Sequence, residues 1–172
     1  GKIYLSTDNG NEWQMIDSEV PFWGINTMIL SGNNLIVGTI EDGVFISTDN
    51  GVNWEERNSG LPKKSIRSLA YSDGNIFVGT DGYGLFFSSD NGANWEARSS
   101  GLLGGLIDAI AIRGDRIFAG TPMGIYLSTD NGKNWTQKNS GLRHFHIKSF
   151  SFCGNNIIAG GKSSIYKSTD NG

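Results

Sequence analysis

The sequence predicts an all-β protein built from one short antiparallel unit repeated along the chain, and three observations carry that prediction. The tripeptide Asp-Asn-Gly recurs at 8–10, 49–51, 90–92, 130–132 and 170–172, with spacings of 41, 41, 40 and 40 residues. Such a period marks an array of one supersecondary unit. The apolar runs are rich in β-branched and aromatic residues and hold no sustained 3.6-residue period, which favours strands over helices. The 172 residues include 25 glycines against three prolines, a composition of many tight turns within a chain that still has 37 % apolar residues to bury.

Each unit resolves into four short extended segments, as the third repeat shows. The first strand is expected over 66–71, the second over 76–79 after a turn at 72–75, the third over 85–88 and the fourth over 95–98. Third strands carry consecutive apolar residues, Ile3-Tyr4-Leu5, Val44-Phe45-Ile46, Leu85-Phe86-Phe87 and Ile125-Tyr126-Leu127, so both of their faces must be covered. A small antiparallel sheet covered on both faces and repeated every 40 residues or so is a blade of a β-propeller. The units fall at about 1–20, 21–60, 61–100, 101–140 and 141–172, the first and last incomplete, within one domain over 1–172. The expectation is a partial propeller of about four blades belonging to a larger ring, with apolar blade faces open at both ends. The alternative is a closed four-bladed ring in which 1–20 complete the sheet begun at 147–160; Lys167, standing where Leu5, Ile46, Phe87 and Leu127 stand in the other units, favours it, but 164–168 would then compete with 3–6 for one slot, so the open arc is preferred.

Around each tripeptide the text is nearly constant: Ser6, Asp8, Gly10 and Trp13; Ser47, Asp49, Gly51 and Trp54; Ser88, Asp90, Gly92 and Trp95; Ser128, Asp130, Gly132 and Trp135; then Ser168, Asp170 and Gly172. Asn-Gly supplies the positive φ angles of a tight hairpin turn, and the Asp before it can accept hydrogen bonds from the turn's own N–H groups. The Trp is expected to start the next strand and to pack back over the turn. Calcium binding is the competing reading, but each motif offers one carboxylate and no fixed downstream Glu, fewer ligands than calcium takes. No metal and no cofactor is expected.

These motifs resemble the Asp-box, or BNR, repeat of sialidases, sortilin-type receptors, photosystem assembly factors and xyloglucan-cleaving glycosidases. The closest resemblance is to uncharacterised secreted bacterial proteins whose blades read Ser-Thr-Asp-Asn-Gly-x-x-Trp and then Asn-Ser-Gly-Leu, as at 58–61 and 139–142 here. The resemblance covers the whole chain. It implies that the boxes sit on hairpins between third and fourth strands, at the rim of the propeller and away from any active site, so that their residues are structural.

Differences between the units gather in the link from fourth to first strand and in the link from second to third. Both links emerge at the same end of an antiparallel blade, so this face is the expected site of recognition. The residue after the first Ile of each innermost strand is polar every time, Asn26, Arg67, Asp108 and Lys148, and the four are expected to ring the channel mouth. They read either as a polar ligand site or as a solvated wall on which Asp108 balances the cations Arg67 and Lys148. Trp23, preceded by Phe22, is either a sugar-stacking platform or a plug for its blade. Arg143 and His144 join the ligand-binding candidates; His144 and His146 alternate and read as surface histidines, without a third metal ligand nearby. Cys153 reads as an ordinary turn residue.

Fourteen basic against seventeen acidic side chains give a net charge of -3, which leaves no basic field for nucleic acid. No apolar run is long enough to insert in a membrane as a helix. One cysteine excludes a disulfide framework within the chain. Two function classes remain. A glycosidase needs paired carboxylates across a cleft, for which Glu41, Asp42, Asp81 and Asp108 are candidates that the sequence does not bring together, and a sialidase would need the Phe-Arg-Ile-Pro motif and arginine triad absent here. The preferred expectation is a non-catalytic propeller of a secreted or cell-envelope bacterial protein that binds a protein or a glycan through the variable face. The alternative is a fragment of a sialidase-like or xyloglucanase-like hydrolase.

Overall fold

A computed structural model describes residues 3–16 and 24–170. All regular structure among them is β. The first sheet pairs β1 (Ile3–Leu5) with β2 (Gln14–Ile16). The second orders β3 (Ile25–Ser31), β4 (Asn34–Thr39), β5 (Val44–Ser47) and β6 (Glu55–Glu56) as an antiparallel meander. The third repeats it with β7 (Ile66–Ser72), β8 (Asn75–Thr80), β9 (Leu85–Ser88) and β10 (Glu96–Ala97), and the fourth with β11 (Ala109–Arg113), β12 (Arg116–Thr121), β13 (Gly124–Ser128) and β14 (Thr136–Gln137). The fifth holds β15 (Ile147–Cys153), β16 (Asn156–Gly161) and β17 (Ile165–Ser168). These sheets are the blades of a partial propeller, and their inner strands pack in chain order: β3 on β7, β7 on β11, β11 on β15.

The fourth strands are shorter than the sequence suggests. The box Trp does not begin them: Trp95 and Trp135 each lie just before the paired residues. Their backbone N–H groups are taken instead by the turn that follows the previous sheet, Trp95 donating to the Ser59 carbonyl at 2.9 Å and Trp135 to that of Ser100 at 2.9 Å. A hydrogen bond can serve one ladder only, so crossing to the neighbouring blade shortens the strand.

The core lies between blades. Ile36, Val44 and Ile46 of the second sheet are buried in one cluster with Val78, Phe86 and Trp95 of the third. One register further on, Phe77, Leu85 and Phe87 meet Ala119, Tyr126 and Trp135. This explains why third strands are apolar on both sides: β5 and β9 are buried at every position. Close approach demands glycine in the second strands. A Cβ on Gly38 would collide with Ile66 of β7, and one on Gly79 with Ile107, just before β11.

Between the fourth and fifth sheets runs a groove of about 470 Å³ lined by Phe118, Ile125, Ala159, Tyr166 and the turn at 138–142. In the two preceding interfaces the corresponding place beside the turns at 57–61 and 98–102 holds Trp95 and Trp135. Tyr4 of the first sheet, Met28 and Leu30 on the inner strand of the second, and Ile165 of the fifth are exposed, as is Lys167.

Candidate functional site

The two variable links do meet at one end of the blades. Ile40 N–H donates to the Gly24 carbonyl at 3.0 Å, Asp81 N–H to Ser65 at 2.9 Å, Gly82 N–H to Gly105 at 3.1 Å and Lys162 N–H to His146 at 3.3 Å. Beneath the varying tips lies a constant frame. The fully buried Thr39, Thr80 and Thr121 donate their hydroxyls to the carbonyls of Gly43, Gly84 and Gly124 and accept from Asp42, Tyr83 and Met123 N–H. Asn58 and Asn139 accept from the N–H of Val44 and Ile125 and donate back to the carbonyls of Asp42 and Met123; Ser99 takes the same place against Leu85. This asparagine frame has a sequence signal in the Asn-Ser-Gly-Leu text, which the resemblance alone did not translate into a bond.

The polar residue after the first Ile occupies a structural irregularity. Ile25 pairs with Thr39 and Thr27 with Gly38, leaving Asn26 as the extra residue of a bulge. Arg67 and Lys148 are extra residues in the same way. Bulges re-aim a side chain without ending the sheet, and here they turn one polar group per inner strand toward the loop face. Asp108 sits just before β11, its N–H bonded to the Gly120 carbonyl at 2.9 Å.

These groups are joined across blades. Arg67 donates to Asp81 Oδ2 at 2.8 Å, and its other terminal nitrogen lies 3.8 Å from Asp108 Oδ1. Asp108 Oδ2 lies 2.8 Å from His146 Nε2, and the Asp108 side chain is only 8 % exposed. Asn26 donates to the Ser65 hydroxyl and the Ile66 carbonyl, both at 3.1 Å. The expected balance of Asp108 between Arg67 and Lys148 is therefore corrected: the second partner is His146, because the link before β15 brings the imidazole across while the bulged Lys148 stays exposed. From the sequence His146 reads as a surface residue, since nothing in its alternation with His144 signals a carboxylate 38 residues away.

Arg143 and His144 are exposed, and the His144 N–H donates to the Tyr166 hydroxyl at 2.9 Å. A hydrogen bond with Ser164, that N–H and nearby Arg143 lower the Tyr166 pKa below the ordinary phenol value. Trp23 lies outside the described residues. Cys153 is the exposed last residue of β15, paired with Asn156 beside a two-residue turn.

Next to the Arg67–Asp81 pair an open pocket of about 430 Å³ is lined by Ile40, Glu41, Lys63, Lys64, Ser65 and Asp81. It lies where the links of the second and third sheets converge. Lys63 is engaged by Glu56 at 2.6 Å and Asp81 by Arg67.

The boxes occupy the opposite end, on the hairpins from third to fourth strands. In each complete box the Ser hydroxyl donates to the Asp at 2.8 Å and accepts the Gly N–H, while the Asp accepts an N–H four residues on. Asn9, Asn50, Asn91 and Asn131 have φ between 55° and 61°, the left-handed conformation that an L-residue tolerates best as Asn. Asn94 and Asn134 donate side-chain and backbone bonds to Asp90 and Asp130, holding both carboxyls at a pKa of about 2. Asp49 is lowered in the same way by Asn53, and Asp8 by the Glu12 N–H and the Ser6 hydroxyl; Ser168 bonds Asp170 at 2.6 Å. Gly172 lies outside the described residues.

Comparison with known proteins agrees with this geometry. A family model described as the BNR/Asp-box repeat matches residues 45–56 and 126–137. The class that fold and repeat together define is the Asp-box β-propeller. Among solved structures, the chain is similar to the extracellular domain of a hybrid two component system from B. thetaiotaomicron, with 19 % identity over 96 % of this chain and 24 % of that one, at a TM-score of 0.78. The GH74 xyloglucanase from Xanthomonas campestris gives 17 % identity over 96 % and 33 %, at a TM-score of 0.73. YCF48 bound to D1 peptide gives 18 % identity over 99 % and 58 %, at 0.69. The chain spans a quarter to three fifths of the length of these proteins. A search of curated protein sequences found no match.

Proposed function

We propose that the chain is a non-catalytic binding scaffold which holds an extended protein or glycan across its loop face. The observation that carries this reading is the unbroken line Asp81–Arg67–Asp108–His146, which crosses three blades at 2.8, 3.8 and 2.8 Å and begins beside the pocket at Glu41 and Lys64. A row of fixed donors and acceptors on successive rigid sheets suits a polymer that presents repeating polar groups. Similar structures include one bound to a peptide and one that is a xyloglucanase, which supports both polymer types as candidates. An extracellular or cell-envelope setting accords with the similarity to an extracellular domain.

Peptide and glycan arrays probed with the wild-type protein and with Arg67→Ala and Lys133→Ala test the reading. Lys133 lies in a box hairpin. A ligand lost in Arg67→Ala and kept in Lys133→Ala is the expected result. Equal loss in both variants, or cleavage of a bound glycan, contradicts it.

A further inference from the structure

We infer that the pocket between the second and third sheets is a subsite for one neutral sugar unit that bears a vicinal diol; this rests on the binding-face reading above. The lining sums to zero formal charge, with Glu41 and Asp81 against Lys63 and Lys64. Two of the four charges are already spent: Lys63 on Glu56 at 2.6 Å and Asp81 on Arg67 at 2.8 Å. Among the described residues Glu41 and Lys64 have no such partner, and both are exposed at the pocket. One is an acceptor only and the other a donor only. Adjacent hydroxyls satisfy both at once, the first donating to the Glu41 carboxylate and its neighbour accepting from the Lys64 ammonium. An anionic unit would meet Glu41 and Asp81; a cationic one would meet Lys63 and Lys64.

Two further features fit a pyranose better than a peptide. Ile40 is 47 % exposed at the pocket and offers an apolar surface to the C–H face of a ring. The N–H groups of Ile40 and Asp81 are bonded to Gly24 and Ser65, so these linking residues do not present a free strand edge to which a peptide backbone could add. Recognition therefore falls to side chains. The volume, about 430 Å³, lies in the range of small-ligand sites.

The test is calorimetric titration of the whole chain with neutral hexaoses of glucose, mannose, xylose and galactose, with tetragalacturonate as the acidic counterpart and an acidic peptide as the protein-like one. At least one neutral hexaose is expected to bind more tightly than tetragalacturonate or the peptide. Glu41→Ala and Lys64→Ala are each expected to weaken it about tenfold, the scale of one charge-assisted hydrogen bond. Both residues are exposed in links, so melting temperatures should match wild type and a loss of binding cannot be ascribed to unfolding. Tighter binding of the acidic probes, absence of binding to any neutral hexaose, or indifference to both substitutions overturns the subsite. Binding that depends on Arg67 but not on Glu41 or Lys64 overturns the subsite and leaves the binding-face reading standing; binding indifferent to all three overturns both.

Discussion

The indole N–H of Trp95 donates to the backbone carbonyl of Arg57, 38 residues earlier, at 2.8 Å. Trp135 does the same to Arg98 at 2.9 Å. The box that closes a hairpin in one blade thus also fastens the end of the blade before it. Burial follows from that role: Trp95 is 6 % exposed, whereas Trp13, beside no earlier described sheet, is 63 % exposed.

Removing the two rings should therefore cost different amounts. Trp95→Ala is expected to lose about 3–5 kcal/mol, the range for a buried large aromatic. Trp13→Ala should stay within about 0.5 kcal/mol of wild type, as exposed substitutions do. Urea unfolding of the two variants decides this, and equal losses would show that the ring serves only its own hairpin.

Acid should loosen the boxes first. Folding holds Asp90 and Asp130 at a pKa of about 2, below the ordinary value of 3.8, through bonds donated by Asn94, Asn134 and the box serines. A depressed folded pKa means that the unfolded chain binds protons more readily, so stability rises with pH across this window. The contribution is complete above about pH 4 and is lost as the pH falls toward 2. Because the carboxyls are solvent-exposed, the effect is discounted by screening. Unfolding midpoints measured from pH 5 to pH 2 should fall more gently in Asp90→Asn/Asp130→Asn than in wild type; parallel curves would exclude the boxes as the acid-sensitive element.

The asparagine after the fourth strand should matter more than its exposed neighbours. Asn139 accepts from Ile125 N–H at 2.9 Å and donates to the Met123 carbonyl at 2.8 Å. Gly124, at φ 115°, leaves room for it where a Cβ would strike the amide. Asn139→Ala is expected to cost about 1 kcal/mol, the scale of a lost hydrogen bond at a half-buried N–H. Asn139→Ser should recover part of this, because Ser99 makes the equivalent bonds in the third sheet. Thermal unfolding of the pair checks it, and identical losses would contradict the assigned bonds.

Calcium should leave stability unchanged. Each complete box carboxylate is already occupied by hydroxyl and N–H donors, and one carboxylate per turn falls short of the six to eight oxygen ligands that calcium takes. Melting temperatures in EDTA and in millimolar calcium should coincide. A reproducible shift would mean that the boxes rearrange around the ion.

The blade was legible in the sequence because it repeats. Five Asp-Asn-Gly turns fix the period, and the double-sided apolar text of 44–46 and 85–87 fixes what must be covered. The common location of the variable links followed from strand parity alone. What stayed hidden was pairing between blades. Nothing local to Trp95 says that its N–H leaves its own sheet, and nothing local to His146 points to Asp108, because both contacts are set by how one twisted sheet lies on the next. The pocket at Glu41 and Lys64 was hidden for the same reason: its residues come from links on two sheets. Asn26, Arg67, Asp108 and Lys148 were recognisable as a set, but only the register showed three of them to be bulged residues and gave Asp108 its true partner.

The most direct test of the proposal that recognition belongs to the loop face and fastening to the box face is an amide chemical-shift map of the labelled protein with and without the peptide or oligosaccharide that the arrays select. Perturbations are expected at 40–43, 63–67, 81–83 and 105–108, with silence at 49–53, 90–94 and 130–134. Shifts gathered on those box hairpins, with the links unmoved, would contradict it.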